Sequence, residues 1–296
     1  MTLSTFIDTA FGVLLSDFLR YAFFAGGVFT VINVVFAHLL ARRKIRPDRP
    51  GWDQIRSEIL TSLRTVLIFA ATGTMIGVGA HLGVLPIYTD VQSFGWLWLM
   101  ASIILIILAH DTWFYWSHWL LHRVPGLRRF HRAHHLSHNP TPFTSYRFDP
   151  EEAVVHAIFL PVFLALVPMH PTAILVFVSH MMLRNTLGHC GYELFPARRD
   201  GRPLVGWLTT VTHHDLHHAN ARYNFGLYFA WWDRWMGTEH PRYRDDYAEK
   251  APRLPKSIVA ILTLGLVCAA CAPIQTNPSN TAQIFTPPNP PLIHGY

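Results

Sequence analysis

Four histidines crowd the stretch "VTHHDLHHAN", residues 211–220, as His213, His214, His217 and His218. Two more clusters precede it: "SHWLLH" carries His118 and His122, and "FHRAHHLSH" carries His131, His134, His135 and His138. On a helix, residues three and four apart share a face, so His118 and His122 project side by side. In "HRAHH" three imidazoles can converge from about one turn, and "HDLHH" repeats the spacing from His214 through His217 and His218. These boxes supply two, three and three histidines, eight in all. A zinc site takes about four ligands, so eight imidazoles imply two metal ions. Neutral imidazole suits Fe, Zn, Cu and Ni alike, and spacing leaves the metal's identity open.

The remaining histidines are read more plainly. His38, His81, His156, His170, His180, His240 and His294 stand singly, as hydrogen-bonded core or surface residues do. His110, His138 and His213 flank the boxes outside the repeated spacing, where supporting, surface and ligand roles all remain open. Asp111 and Tyr115 fall seven and three residues before His118, on the same helical face. Asp111 could accept the free N–H of a ligand imidazole; it could equally be an interfacial helix-end carboxylate.

The elements that must position these groups are apolar. Of 296 residues, 51% are hydrophobic and only 14% charged, with 10 Trp and 20 Phe. Mean hydropathy is +0.22. Soluble chains average about 25% charged residues, so this composition points to a membrane protein. A bilayer core of about 30 Å is crossed by about twenty apolar residues in a helix. Tyr21 to Leu40 and Thr65 to Leu85 meet that length. A third run starts at Phe94 and reaches Asp111 early, which predicts a helix continuing past the membrane surface. The fourth region, Ala153 to Leu187, is broken by "PMHP" at Pro168–Pro171 and predicts a helical hairpin, either two compact spans or a re-entrant pair. The fold class expected is all-α and polytopic, with about four transmembrane helices.

Lys and Arg set orientation. Arg42, Arg43, Lys44, Arg46, Arg49 and Arg56 follow the first span, and Arg123, Arg128, Arg129, Arg132 and Arg147 accompany the first two boxes. Met1–Leu19, Pro86–Ser93 and the "PMHP" turn carry none. All three clusters are thus expected on the cytoplasmic side. The net charge of +6 suits anionic headgroups, and no base-reading or stacking pattern for nucleic acid is present. Met1–Leu19 lacks a basic start and contains Asp8 and Asp17, unlike a cleavable signal peptide. Three cysteines make no disulfide framework, and Cys268 and Cys271 are read as small packing residues rather than a redox pair. The expected organisation is one membrane domain over 1–256 with a histidine-box core at 110–238, a short apolar segment at 257–272, and a disordered tail at 273–296.

Taken in order, the motifs resemble the fatty acid hydroxylase and sterol desaturase superfamily of membrane di-iron enzymes. "HDTWFYWSHWLLH" resembles the family's D-x-x-x-Y-W-x-H-x-x-x-H, and "HRAHH" and "HDLHH" its two H-x-x-H-H boxes. "YNFGLYFAWWDRWMGT" resembles N-Y-G followed by W-D-x-x-F-G-T, through Asn224, Gly226, Trp232, Asp233, Gly237 and Thr238. The resemblance adds His189, in "NTLGHCGYELFP", as a ninth ligand, and marks Asp111 and Asp233 as supporting carboxylates. Where some hydroxylases of the family carry another His, this chain has Glu193, a ligand, a water holder or, the favoured reading, a surface carboxylate. Trp119 and Phe225 stand where Arg and Tyr are usual.

The resemblance implies a four-span platform with a cytoplasmic helical cap holding two irons. Its ligands would be His118, His122, His131, His134, His135, His189, His214, His217 and His218. It also implies O2 as co-substrate and hydroxylation or desaturation of a membrane lipid such as a fatty acyl chain, sphingolipid or sterol. No cytochrome b5-like haem domain is recognisable, so a separate ferredoxin or cytochrome with its reductase is the expected electron donor. Two rivals differ in class. A membrane zinc hydrolase would need a carboxylate base; no H-E-x-x-H is present and Asp215 is the nearest substitute. A metal transporter or b-type cytochrome would place histidines near the membrane midplane, whereas these boxes sit just outside the spans.

Overall fold

Thr2 opens the first helix by accepting the Thr5 N–H on its hydroxyl, 3.2 Å away. The structure is a computed structural model and describes residues 1–253. The segments 257–272 and 273–296, with Cys268, Cys271 and His294, lie outside the described residues. Helix α1, Leu3–Val35, loosens into π-helical turns at Ala22–Gly26 and Phe29–Val35. Helix α2 is Trp52–His81 and α3 is Gly95–Arg123. These three are long and apolar enough to cross a membrane. Arg132–His135 makes the single turn α4. Helices α5, Pro150–Leu166, and α6, Pro171–Gly188, form the hairpin that the "PMHP" break predicts. The short helices α7, Val211–Ala219, α8, Trp231–Trp235, and α9, Tyr243–Lys250, complete the described chain. Only isolated β-bridges occur among the described residues.

The first span departs from its expected bounds of Tyr21 to Leu40. The helix begins at Leu3 because Asp17 and Arg20, one turn apart, pair with each other and need not leave the apolar run. It ends at Val35 because Phe36 turns out of helical geometry, at φ −96° and ψ 4°. The second span stops at His81, four residues early, where Gly83 at φ +69° supplies the left-handed turn that closes a helix. The third behaves as expected, running unbroken through Asp111 to Arg123.

Two ends of the bundle can be told apart. Met169 donates its N–H to Pro86 O at 3.1 Å, and Tyr88 donates to Met169 O at 3.2 Å, so the "PMHP" turn and the α2–α3 link lie together. The histidine boxes lie at the other end, beyond a core of Leu99, Ile106, Phe159, Phe163 and Phe177. There Glu58, fully buried on α2, gathers the chain after α4. It accepts hydrogen bonds from Gln54 and Ser137, each 2.7 Å, and from Thr141. Asp149, the residue before α5, accepts the Ala133 N–H at 2.7 Å. These two carboxylates fix the second histidine box on both flanks.

Helices α1 and α2 meet through glycine. A methyl group at Gly73 would stand 2.7 Å from Val13 Cγ1, and one at Gly77 2.8 Å from Thr9 Cγ2. Glycines four residues apart let helix backbones approach closely in lipid. Gly73→Val or Gly77→Val should therefore overpack this seam and lower stability by about 1–3 kcal/mol. A thermal melt of the detergent-solubilised chain reads this as a lower midpoint; an unchanged midpoint for both variants would contradict the packing.

Candidate metal centre

Nine imidazoles converge where α3 emerges from the bundle. They fall into two groups, within each of which one nitrogen per ring lies within 4.8 Å of all the others. His118, His122, His131, His135 and His217 make the first; His134, His189, His214 and His218 make the second. The boxes are thus not the sites. Each H-x-x-H-H is split, its turn presenting one face to each group, and His189 at the end of α6 completes the smaller. Eight of the nine are buried and His135 is half-buried.

Hydrogen bonds at the outward ring nitrogens fix which nitrogen faces inward. The Nδ1–H groups of His118, His189 and His217 donate to the carbonyls of Phe225 (2.9 Å), Asn185 (2.7 Å) and Tyr223 (2.7 Å). His131 donates its Nδ1–H to Glu152 Oε1 at 2.6 Å. A neutral imidazole has one N–H, so each inward Nε2 carries a lone pair. Yet His118 and His131 bring these nitrogens to 3.0 Å. With no proton between them, two lone pairs repel at that distance, and a shared cation relieves the repulsion. Nitrogens about 2.1 Å from one ion and at right angles around it stand about 3.0 Å apart. The other first-group separations, 3.2, 3.2 and 3.1 Å, fit the same arrangement. Five donors exceed the four of a tetrahedral zinc site, so the first group offers more imidazoles than such a site would use. In the second group His214 and His189 approach to 2.9 Å, and both ring nitrogens of buried His218 lack hydrogen-bond partners. The donor set fits two cations.

Carboxylates hold the surroundings. Glu152 on α5 is the one that touches a candidate ligand, and sequence reading passed over it. Its signal was an acidic residue in the first turn of an otherwise apolar helix, "DPEEAVVH". Asp233 accepts from the N–H groups of Phe225 (2.8 Å) and Gly226 (2.9 Å) and from the Thr238 hydroxyl (2.7 Å). It therefore acts on His118 one link removed, by fixing the Phe225 carbonyl. A methyl group at Gly226 would lie 2.6 Å from Phe229 O, and Asn224 takes φ +59°, a left-handed turn that Asn tolerates. Phe225 lays its ring against His118, His122 and His217. Asp111 accepts from Tyr228 N–H (2.9 Å), Phe229 N–H (3.2 Å) and Trp231 Nε1–H (3.0 Å). Neither of its expected roles describes this: it clasps the loop before α8 onto α3.

Glu193 is corrected outright. Far from a surface carboxylate, it is fully buried and accepts the N–H groups of Thr212 (2.8 Å) and Phe195 (2.9 Å), capping α7. Of the flanking histidines, His138 is exposed. His110 Nδ1 lies 3.0 Å from the Tyr228 hydroxyl, and His213 lies buried beside Asp233 and Tyr243. None joins either group. Asp215, the candidate hydrolase base, pairs with Arg46 at 2.9 Å.

Burial keeps these rings neutral. It pushes His135 and His189 down to about 4. His131, His134, His214, His217 and His218 fall well below the usual imidazole range, by burial first and neighbouring rings second. Burial raises Asp233 to about 6 against the pull of its hydrogen bonds from Thr238, Phe225 and Gly226.

An apolar cleft, ≈ 750 Å³ counted out to its open mouth, runs between α1, α2, α3, α5 and α6 toward this centre. Phe69, Ile76, Phe159 and Phe177 line its length. Phe114 and Phe148, which also line it, stand 5.2 Å and 5.7 Å by ring centroid from His118 and His134.

Two outcomes follow for the purified chain. Glu152→Gln should weaken metal retention about 10- to 100-fold, and His217→Ala should lose the first-group metal while the protein still inserts. Metal content after graded chelation measures both, and parental retention by the two variants would contradict the ligand geometry. The metal-free chain should lose stability as pH falls from 6.5 toward 4. In that window the unfolded histidines take up protons that rings such as His135 and His189 refuse. Melting temperatures of the chelated protein that stay flat across this window would contradict it.

The pattern of the fatty acid hydroxylase family matches residues 103–238, the segment that contains every candidate ligand. Cholesterol 25-hydroxylase of Rattus norvegicus is 30% identical over 214 residues, 71% of this chain and 70% of that protein. Delta(7)-sterol 5(6)-desaturase ERG3B of Gibberella zeae is 27% identical over 225 residues, 75% of this chain and 68% of its own length. Lathosterol oxidase of Mus musculus is 27% identical over 192 residues, 64% and 62% of the two chains. No solved structure matches. With the ordered boxes, the Asn224–Gly226 turn and the Asp233 clasp in place, the chain belongs to the fatty acid hydroxylase and sterol desaturase superfamily.

Proposed function

We propose that this protein is a multi-pass membrane oxidase that uses two iron ions and O2 to hydroxylate or desaturate a C–H position of a membrane lipid. The observation that carries the reading is the pair of all-imidazole groups with inward lone pairs, set at the end of an apolar cleft. The names of the relatives, a sterol hydroxylase, a sterol desaturase and a sterol oxidase, favour a sterol or a lipid of similar shape. Hydroxylation would take R–H, O2, two electrons and two protons to R–OH and water. Desaturation would use the same inputs to form an alkene and a second water. A ferredoxin or cytochrome with its reductase would supply the electrons.

Bound iron would supply the reduction of O2 and the oxidising power toward the C–H bond. This chain's residues do the rest. His118, His122, His131, His135 and His217 would hold one ion and His134, His189, His214 and His218 the other. Glu152 and the Phe225, Tyr223 and Asn185 carbonyls keep their rings in the ligating tautomer. Phe114 and Phe148 would aim the lipid and exclude water. In the bilayer, α5 and α6 would form the fourth membrane element, and the Lys and Arg distribution would put the histidine end in the cytoplasm. Pairing of Asp215 with Arg46 deprives the zinc-hydrolase alternative of its base.

Mass spectrometry of total lipids from cells expressing the parent or His217→Ala, with a donor system supplied, tests this directly. The expected result is a lipid that gains one oxygen, or loses two hydrogens, only with the parent. Identical lipid profiles with iron-loaded parent protein would contradict the oxidase reading and return the hydrolase.

A further inference from the structure

A second opening reaches the candidate metal centre through residues other than those of the apolar cleft. It is a bowl of ≈ 1170 Å³, likewise counted out to its open mouth, with His122, His131 and His135 among its lining residues. Its rim carries five exposed arginines, Arg123, Arg128, Arg129, Arg132 and Arg222. Among the described residues none of these has a carboxylate within 4.0 Å, a property shared with other arginines such as Arg42, Arg56 and Arg199, and what sets these five apart is that they surround one concavity. Two are braced by backbone: Arg128 donates to His122 O at 2.8 Å and Arg123 to Arg222 O at 3.4 Å. No residue lines both the bowl and the cleft, so a lipid filling the cleft leaves the bowl free.

Resting on the oxidase reading, we propose that this arginine rim docks an acidic electron-carrier protein and that electrons enter the first metal group at the bowl floor, through His122 and half-buried His135. Unpaired like charges around one concavity favour a partner bearing clustered carboxylates, which steers encounter and sets orientation. Position selects a soluble protein over a lipid headgroup. Tryptophans favour membrane interfaces, and on α3 they stand at Trp96 and Trp98 toward one end and at Trp113, Trp116 and Trp119 toward the other. Arg123 lies past the last three, about 6 to 15 Å further along the axis at 1.5 Å per residue, and the chain carries Arg128 to Arg132 on from there. The floor is where the nine-imidazole cluster is most open: His135 alone among the nine is half-buried rather than buried. An incoming carrier can therefore approach the metals here without crossing the apolar wall formed by Phe114 and Phe148.

The test uses the full, iron-loaded chain in phosphatidylcholine nanodiscs and an acidic plant-type [2Fe–2S] ferredoxin as probe. Binding is read with oxidised ferredoxin, without O2 or lipid substrate, so that failure of the lipid chemistry leaves this measurement intact. Ferredoxin oxidation is then read after reduction. Arg129→Glu combined with Arg132→Glu should weaken binding about tenfold or more, with iron content unchanged. Arg222→Glu, on a separate loop, should act in the same direction if the first variant misfolds. Parent binding should also fall steeply from low to physiological salt. Ferredoxin binding that both variants retain, or that salt leaves untouched, would overturn the proposal. So would variants that lose adherence to phosphatidylglycerol vesicles while keeping ferredoxin, since the rim would then serve a headgroup.

Discussion

Lone pairs aimed at one another hold the key to this molecule. Imidazoles whose Nδ1–H is committed outward cannot share protons inward, and His118 and His131 bring their Nε2 atoms to 3.0 Å with no hydrogen between them. Such an arrangement is favourable when cations occupy it, and a metal held there would couple its binding to the fold. Nothing in the apolar helices alone would bring nine rings to this separation. The scaffold must force them together, and a bound metal would make the result favourable.

The scaffold does so with buried carboxylates that are not candidate ligands. Glu58 gathers the loop after the second box, Glu193 caps α7, Asp233 fixes the Phe225 carbonyl, and Asp111 clasps the loop before α8. Each spends its acceptor capacity on backbone N–H or side-chain donors that burial would otherwise orphan. Glu152 alone reaches a ligand ring directly. This division leaves the metal groups purely imidazole. It also separates two approaches to them, an apolar one through the bilayer-embedded helices and a cationic one from the aqueous side.

The sequence was most legible where chemistry is local. The i, i+3 and i, i+4 spacing of the boxes located eight candidate ligands, and hydropathy located α3, which presents two of them. The pairing of rings into groups was not legible, because a single H-x-x-H-H turn contributes to both groups and only tertiary packing decides which ring faces which. Glu193 was misread for a similar reason: its partner Thr212 is nineteen residues away, and nothing near Glu193 announces a helix N-terminus. The expected first span starts later than the helix does, because the helix continues toward Leu3 through Asp17 and Arg20, which pair with each other across one turn. The Gly73–Gly77 seam lay in plain view as "GTMIG", yet the residues that fill it, Thr9 and Val13, are on another helix.

The central claim is that the two imidazole groups each hold an iron. Mössbauer spectroscopy of the full chain, purified without oxygen from cells grown on ⁵⁷Fe, measures this most directly when combined with metal analysis of the same sample. The account predicts two ferrous ions per chain, in nitrogen-rich sites that are distinguishable because one group offers five imidazoles and the other four. A single metal ion per chain, or zinc filling both groups in protein that is active, would contradict it.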